Sequence, residues 1–308
     1  MPIKSSMLVL LTWILCWGCK PDHTRRETDF RITDTAAIRT IEIYAEDGVK
    51  QTLERKPDGW WLNGKFLVRP DAIANIFRIL PGVQVMFYPP DAAIDQMMQA
   101  IREDGVKLVF QDKKGDLIKS YRIGGMTNDE RGTYAILEGA ERPYVVHVPG
   151  FEGSLANRFI MADEDWRDRM LFRHRPEALT GLKIFYPDHP DQGFEILKRE
   201  GRFELYDYRN RLINTSESVI RDYLDVLTGI GVEGIENDFA GIPDVLASRP
   251  HAILELKFHP DLPRTLKFFP VIIEGQQEVE RLFVYDGQDF FLAQTRILQK
   301  IFRSSGAF

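Results

Sequence analysis

The sequence predicts an α+β fold made by duplication: two lobes, each an antiparallel sheet with one main helix packed on it. Three observations predict it. Short runs such as Thr40-Ile41-Glu42-Ile43-Tyr44 and Leu182-Lys183-Ile184-Phe185 alternate apolar and polar residues with the period of two that a half-buried strand requires. Ile73, Ile76, Phe77 and Leu80, and again Ile220, Tyr223, Leu224 and Leu227, recur at i, i+3, i+4 and i+7, which is one stripe of a helix. The order of hairpin, third strand and helix occurs twice, with equivalent positions about 141 residues apart at the first strand, about 147 at the helix and about 148 for Leu108 against Leu256. A period this long means that a whole domain was copied, since a solenoid repeats every 20 to 50 residues or so. The drift in spacing expects one insertion, near Asp207 to Leu212.

The expected boundaries are a leader over 1–18, a tether over 19–29, a first lobe over 30–162 and a second over 163–308. In the leader, Lys4 precedes an apolar run from Met7 to Leu15, and Cys16-Trp17-Gly18-Cys19 follows. About ten apolar residues are half of the roughly twenty that cross a bilayer, but they suit the core of an export signal. A small residue directly before a cysteine resembles the bacterial lipoprotein signal, which implies cleavage after Gly18 and acylation of Cys19 with palmitate-like chains. Cys16 and Trp17 depart from that signal's usual residues, and the alternatives are an ordinary secreted protein cut elsewhere or an uncleaved anchor. Both cysteines of the chain lie here, so the chain from Lys20 onward has no thiol for disulfides or catalysis.

Through the first lobe, Asp47-Gly48, Asp58-Gly59 and Asn63-Gly64 mark hairpin turns that need positive φ. Pro70 opens a helix where its missing N–H does no harm, and Pro81-Gly82 stops it. A second helical stretch, Ile94 to Ile101, leads to strands at Val106 to Phe110, Leu117 to Tyr121, Thr133 to Leu137 and Tyr144 to Val148. The acidic segment Asp163-Glu164-Asp165-Trp166-Arg167-Asp168-Arg169 reads as a solvated, self-paired linker. In the second lobe Asn214 is placed to cap the helix, with Glu217 reaching back in a capping box. Strands at Ile253 to Phe258, Thr265 to Phe269, Leu282 to Tyr285 and Phe290 to Leu292 follow, then a short helix from Thr295 to Phe302 packing through Ile297, Leu298 and Ile301.

The chemistry is sparse. A hydrophobic share of 44% with 28% charged residues describes a globular protein, and a net charge of −6 without a basic cluster argues against nucleic acid. Gly59-Trp60-Trp61-Leu62-Asn63-Gly64-Lys65 has the spacing of a phosphate-binding loop but puts Phe66 where a magnesium-binding hydroxyl belongs. The histidines never fall at metal-ligand spacing, and Ser154 near His147 and Glu152 lacks a nucleophile elbow. No cofactor is expected. Aligning Trp61 with Phe203 and Trp60 with Arg202 makes Trp60 the exposed tryptophan and a candidate contact for a partner or sugar. The polar loop from Gly124 to Gly132 adds Asn128, Asp129 and Arg131 as candidate contacts, with Glu274 to Glu278 in the corresponding place of the second lobe.

Asp29-Phe30-Arg31-Ile32, Gly59-Trp60-Trp61-Leu62-Asn63-Gly64, Ile123-Gly124-Gly125, Gly132-Thr133-Tyr134, the run from Tyr144 to Gly153, and Trp166-Arg167-Asp168 resemble an uncharacterised bacterial envelope-protein family. That domain-of-unknown-function family is often encoded beside gliding-motility-type ABC transporter components. The resemblance implies an envelope location, membrane attachment through the lipid anchor, and partnership with transporter subunits or another envelope protein. It carries no catalytic residues. Lys20 after Cys19 favours the outer membrane, with the inner membrane as the alternative. The expected function is a non-catalytic binding or accessory component; the rival is an envelope hydrolase acting on glycans or peptides through carboxylates.

Overall fold

The computed structural model describes residues 27–173, 176–259, 263–272 and 279–308. The leader, Cys19, most of the tether and the stretch 273–278 fall outside the described residues. In order, the strands and helices of the first half are β1 (Thr40–Ala45), β2 (Lys50–Lys56), β3 (Gly59–Leu62), β4 (Phe66–Leu67), α1 (Pro70–Ile79), β5 (Gln84–Phe87), α2 (Asp91–Glu103), β6 (Gly105–Gln111), β7 (Leu117–Met126), β8 (Thr133–Leu137) and β9 (Tyr144–His147). After α3 (Asp163–Trp166) come β10 (Leu179–Phe185), β11 (Phe194–Arg199), β12 (Arg202–Asp207), β13 (Leu212–Ile213), α4 (Glu217–Leu227), β14 (Gly234–Ile235), α5 (Ile242–Ala247), β15 (Ala252–Phe258), β16 (Arg264–Pro270), β17 (Arg281–Tyr285), β18 (Phe290–Gln294) and α6 (Thr295–Leu298).

Among the described residues these strands form two nine-stranded antiparallel sheets, ordered β4-β3-β2-β1-β6-β7-β8-β9-β5 and β13-β12-β11-β10-β15-β16-β17-β18-β14. The two orders are the same sequence of strands, so the duplicated α+β lobe is written into the topology. Sheet dominates over helix more than the sequence pattern suggests.

Register refines the repeat. Ile43 lies opposite Leu108 and Ile184 opposite Leu254, so Leu108 corresponds to Leu254 and not to Leu256. Leu53 lies opposite Leu62 and Ile196 opposite Leu205; Arg55 lies opposite Trp60 and Lys198 opposite Phe203. Trp60 therefore corresponds to Phe203, one residue away from the alignment expected above. A one-residue slip turns every side chain to the other face of a strand. Trp60 is accordingly buried at 8% exposure, beside Leu62 at 0%, while Trp61 is half-buried. The extra residues of the second copy are also split between two places. Some lengthen the β10–β11 connection, which contains the short turn Pro190–Gln192, and the rest lengthen the β12–β13 hairpin.

The helix starts divide. Pro70 is the first residue of α1, and Pro81 falls in a 3-10 turn, Leu80–Gly82, that ends it. The expected capping box at α4 does not form: Ser216 is the N-cap, without a side-chain capping bond, and Glu217 is bound instead by Arg221 Nη2 at 2.7 Å, one turn on. A carboxylate four residues before an arginine finds a closer partner along the helix than back across its start.

Chain contacts divide the molecule into two compact units, Met1–Lys50 with Asn75–Ile160 and Gln51–Ala74 with Met161–Phe308. The second contains a core of Leu182, Ile184, Phe194, Ile196, Phe203, Leu205, Ile220, Tyr223, Leu254 and their neighbours. The stretch expected to be a solvated linker belongs to it. Trp166 is fully buried and its Nε1 donates to Gln51 Oε1 at 3.1 Å. Arg167, at 7% exposure, is bound through both terminal nitrogens by Asp289, also at 7%, and its guanidinium lies 3.8 Å from the centre of the Phe66 ring. An indole is too apolar for solvent, and a guanidinium matched by a carboxylate can be buried.

Candidate functional site

The grouping of side chains with the most varied chemistry lies in the second unit. It is built from the end of β10, the start of β15 and the chain after α6. Tyr186, Asp188, His189, Gln192, His251, Phe302, Arg303 and Ser304 line a cavity of about 340 Å³. Each is placed by the fold. His251 N–H donates to Phe268 O at 2.7 Å, which fixes it one residue ahead of β15. Tyr186 is buried and its hydroxyl donates to Arg303 O at 2.8 Å, tying the C-terminal segment to the sheet. Phe302 is edge-on to His251 at 4.9 Å and to Phe268 at 5.1 Å between ring centres.

The cavity exists because the two copies diverged. By register, His251 takes the place that Gly105 takes in the first sheet. There α2 runs for thirteen residues and ends against the glycine, where a Cβ would stand 2.2 Å from Ile101 O. In the second unit the corresponding helix, α5, has six residues. The shorter helix leaves room for an imidazole.

The charged groups around the cavity differ in how they are satisfied. Desolvation by its aromatic neighbours lowers the His251 pKa below the usual imidazole value, against the pull of Asp188 and together with repulsion from His189. Burial raises the Tyr186 hydroxyl well beyond its ordinary value, so it stays a neutral donor. At the rim, Arg249 Nη1 pairs with Asp188 at 2.9 Å. Arg303 pairs with no carboxylate among the described residues; its guanidinium stands 5.2 Å over the Tyr223 ring and 5.6 Å over the Phe308 ring. Ring faces, an imidazole and a cation held on aromatic rings suit a small hydroxylated or anionic ligand.

A depressed histidine pKa has a definite sign. The unfolded chain takes up its proton near pH 6.5 while the folded chain resists, so this contribution to stability is complete above about pH 6.5 and is lost as pH falls below it. Proton NMR should show His251 titrating below the usual imidazole value, and Phe302→Ala should move it back toward that value. A titration unmoved by that substitution would mean that the ring does not desolvate it.

The residues singled out from the sequence do different work. Trp60 is core. Asn128, Asp129 and Arg131 are exposed on a loop of the first unit, where Asp129 accepts from the Thr127 hydroxyl at 2.6 Å and from Arg131 N–H at 3.2 Å. Those bonds lower the Asp129 carboxyl and close the turn. Cys19 and the loop from Glu274 to Glu278 lie outside the described residues. Ser154 Oγ accepts from Ala156 N–H at 3.2 Å and acts as a turn residue. Asn63 and Gly64, inside the phosphate-loop-like spacing, both have positive φ and form the β3–β4 turn. Sequence reasoning missed the His251 cavity. The available signal was a histidine standing where the repeat has a glycine, and only a register alignment exposes it.

Among the described residues, no three His, Cys, Asp or Glu side chains converge as a metal site, and no helix is long and apolar enough to cross a membrane. Comparison with protein-family models, with curated proteins and with solved structures gives no match.

Proposed function

We propose that the protein is a lipid-anchored component of a bacterial cell envelope that binds and does not catalyse, working as an accessory to a larger assembly such as an ABC transporter of the gliding-motility type. The observation that carries this reading is the Gly18-Cys19 junction behind the apolar run from Met7 to Leu15. Acyl chains contribute about 0.8 kcal/mol per buried methylene, so two or three chains on Cys19 hold the protein at a membrane almost permanently. Lys20 directs it to the outer membrane, the inner membrane being the alternative. The His251 cavity gives the second unit a place for a small ligand.

The direction of the carboxylate shifts weighs against the rival hydrolase. A general acid needs a raised pKa. Glu42, Asp112, Asp129, Glu138, Asp207, Glu233 and Asp289 are all lowered, each by hydrogen bonds or cations beside it.

Cys19→Ser should move the protein from the membrane fraction to the soluble one, and unchanged membrane retention would refute acylation at that residue. Crosslinking in the native envelope, followed by mass spectrometry, should capture transporter subunits or another envelope protein with the parent chain. Capture of lipid alone would refute the accessory role.

A further inference from the structure

In the first unit, β5 is the edge strand of its sheet and presents apolar side chains outward. Met86 and Phe87 of β5 are 38% and 46% exposed, and Tyr88, one residue past the strand, is 65% exposed. Edge strands of soluble proteins are normally kept short, charged or covered. The equivalent edge of the second sheet, β14, follows that rule with two half-buried residues, Gly234 and Ile235. The apolar edge is thus a property of one copy only, and the fold does not require it.

Its neighbourhood says what covers it. The Tyr88 ring meets Tyr144 edge-on at 5.5 Å. Burial, and then the negative charge of Glu27, raise the Tyr144 hydroxyl's pKa, which puts Glu27 beside that ring. Glu27 is the first described residue, so the chain coming from Cys19 arrives one ring away from Tyr88. Seven residues lie between Cys19 and Glu27. A chain of that length reaches at most about 28 Å.

We propose that Met86, Phe87 and Tyr88 dock into the headgroup region of the membrane that holds the lipid anchor, so that the first unit lies against the bilayer by its β5 edge. The inference rests on the anchored reading given above. Tyrosine and phenylalanine suit that layer, where an apolar ring and a polar tip are both satisfied. Among the described residues, the charged groups acting on Tyr144 are Glu27 and Arg142, and Arg142 is paired with Asp91. Tethering keeps the patch within reach of the surface, so a weak apolar contact is enough to hold it there.

The test does not depend on acylation in the cell. Cys19 is the only thiol of the chain that starts there, so it can be coupled to a maleimide phospholipid in phosphatidylcholine vesicles and compared with the same chain capped by a soluble maleimide. Amide exchange over residues 84–88 should slow about tenfold on coupling, the ratio given by a patch docked nine-tenths of the time. The exposed β6–β7 turn, residues 112–116, should not change. The pair Phe87→Ser and Tyr88→Ser should return residues 84–88 to the rate of the capped chain. Equal rates in coupled and capped protein, or equal slowing in both segments, would overturn the proposal and leave the edge to a strand of another protein. Slowing on coupling together with absence of acyl chains on native Cys19 would place the failure in the anchored reading, and equal rates with an acylated native Cys19 would place it in the docking.

Discussion

Asp289→Ala should destabilise the second unit by about 3–5 kcal/mol, read as a lower denaturation midpoint, because it leaves a buried guanidinium without its counter-charge. Arg167 and Asp289 have side chains 9% and 10% exposed and bond through two pairs of atoms. Asn237 Nδ2 adds a third bond to Asp289 at 3.0 Å, and Asn237 Oδ1 accepts from Phe290 N–H at 2.8 Å, so the pair is wired to β18 as well. Replacing both members, Arg167→Met with Asp289→Leu, should recover much of the loss, since a pair of apolar groups carries no desolvation penalty. The ionisation gives a second check. Burial acts to raise the Asp289 carboxyl, but the bonds from Arg167 and Asn237 and the charges of Arg167 and Lys65 outweigh it and hold it below the usual carboxylate range. Its contribution is therefore present above about pH 4 and is lost as pH falls through the lowered value. The acid limb of the stability curve should be shallower in Asp289→Ala than in the parent.

Trp166→Ala should cost a similar amount, about 3–5 kcal/mol, by leaving a cavity the size of an indole in a site with 0% exposure. The ring is held at one end of a short network: its Nε1 donates to Gln51 Oε1, and Gln51 Nε2 donates to Met161 O at 3.0 Å and to Asp163 Oδ1 at 2.6 Å. Trp166→Phe keeps most of the apolar volume and strands Gln51 Oε1. It should cost about 1–3 kcal/mol, the penalty of one unsatisfied buried polar group. A chemical-denaturation series of the two variants separates the packing contribution from the hydrogen bond. Equal losses would mean that the network carries the whole effect.

Much of this architecture was legible because it is set by local periodicity. The alternation in β1 and β10, the stripe Ile220-Tyr223-Leu224-Leu227 and the glycine-containing turns each act through neighbouring residues, and each appears where the pattern puts it. Register is different. Sliding the repeat by one residue at β3 keeps an aromatic matched to an aromatic, Trp61 to Phe203, and yet inverts the face, because only the pairing Arg55–Trp60 and Lys198–Phe203 fixes which tryptophan points inward. The segment from Asp163 to Arg169 reads as solvent-facing by composition. Its burial is decided by Asp289, more than a hundred residues away, and by Gln51, equally distant in the other direction. The same holds for the His251 cavity. Tyr186, His251 and Phe302 are remote in sequence, and the space between them depends on α5 being shorter than α2.

The anchored reading is tested most directly by intact-mass analysis of the mature chain purified from its native membrane. It predicts a protein that begins at Cys19 and carries the added mass of two or three fatty acyl chains, with the modification confined to the N-terminal peptide. A chain that begins at any other residue, or a Cys19 with a free or merely oxidised sulfur, would contradict it.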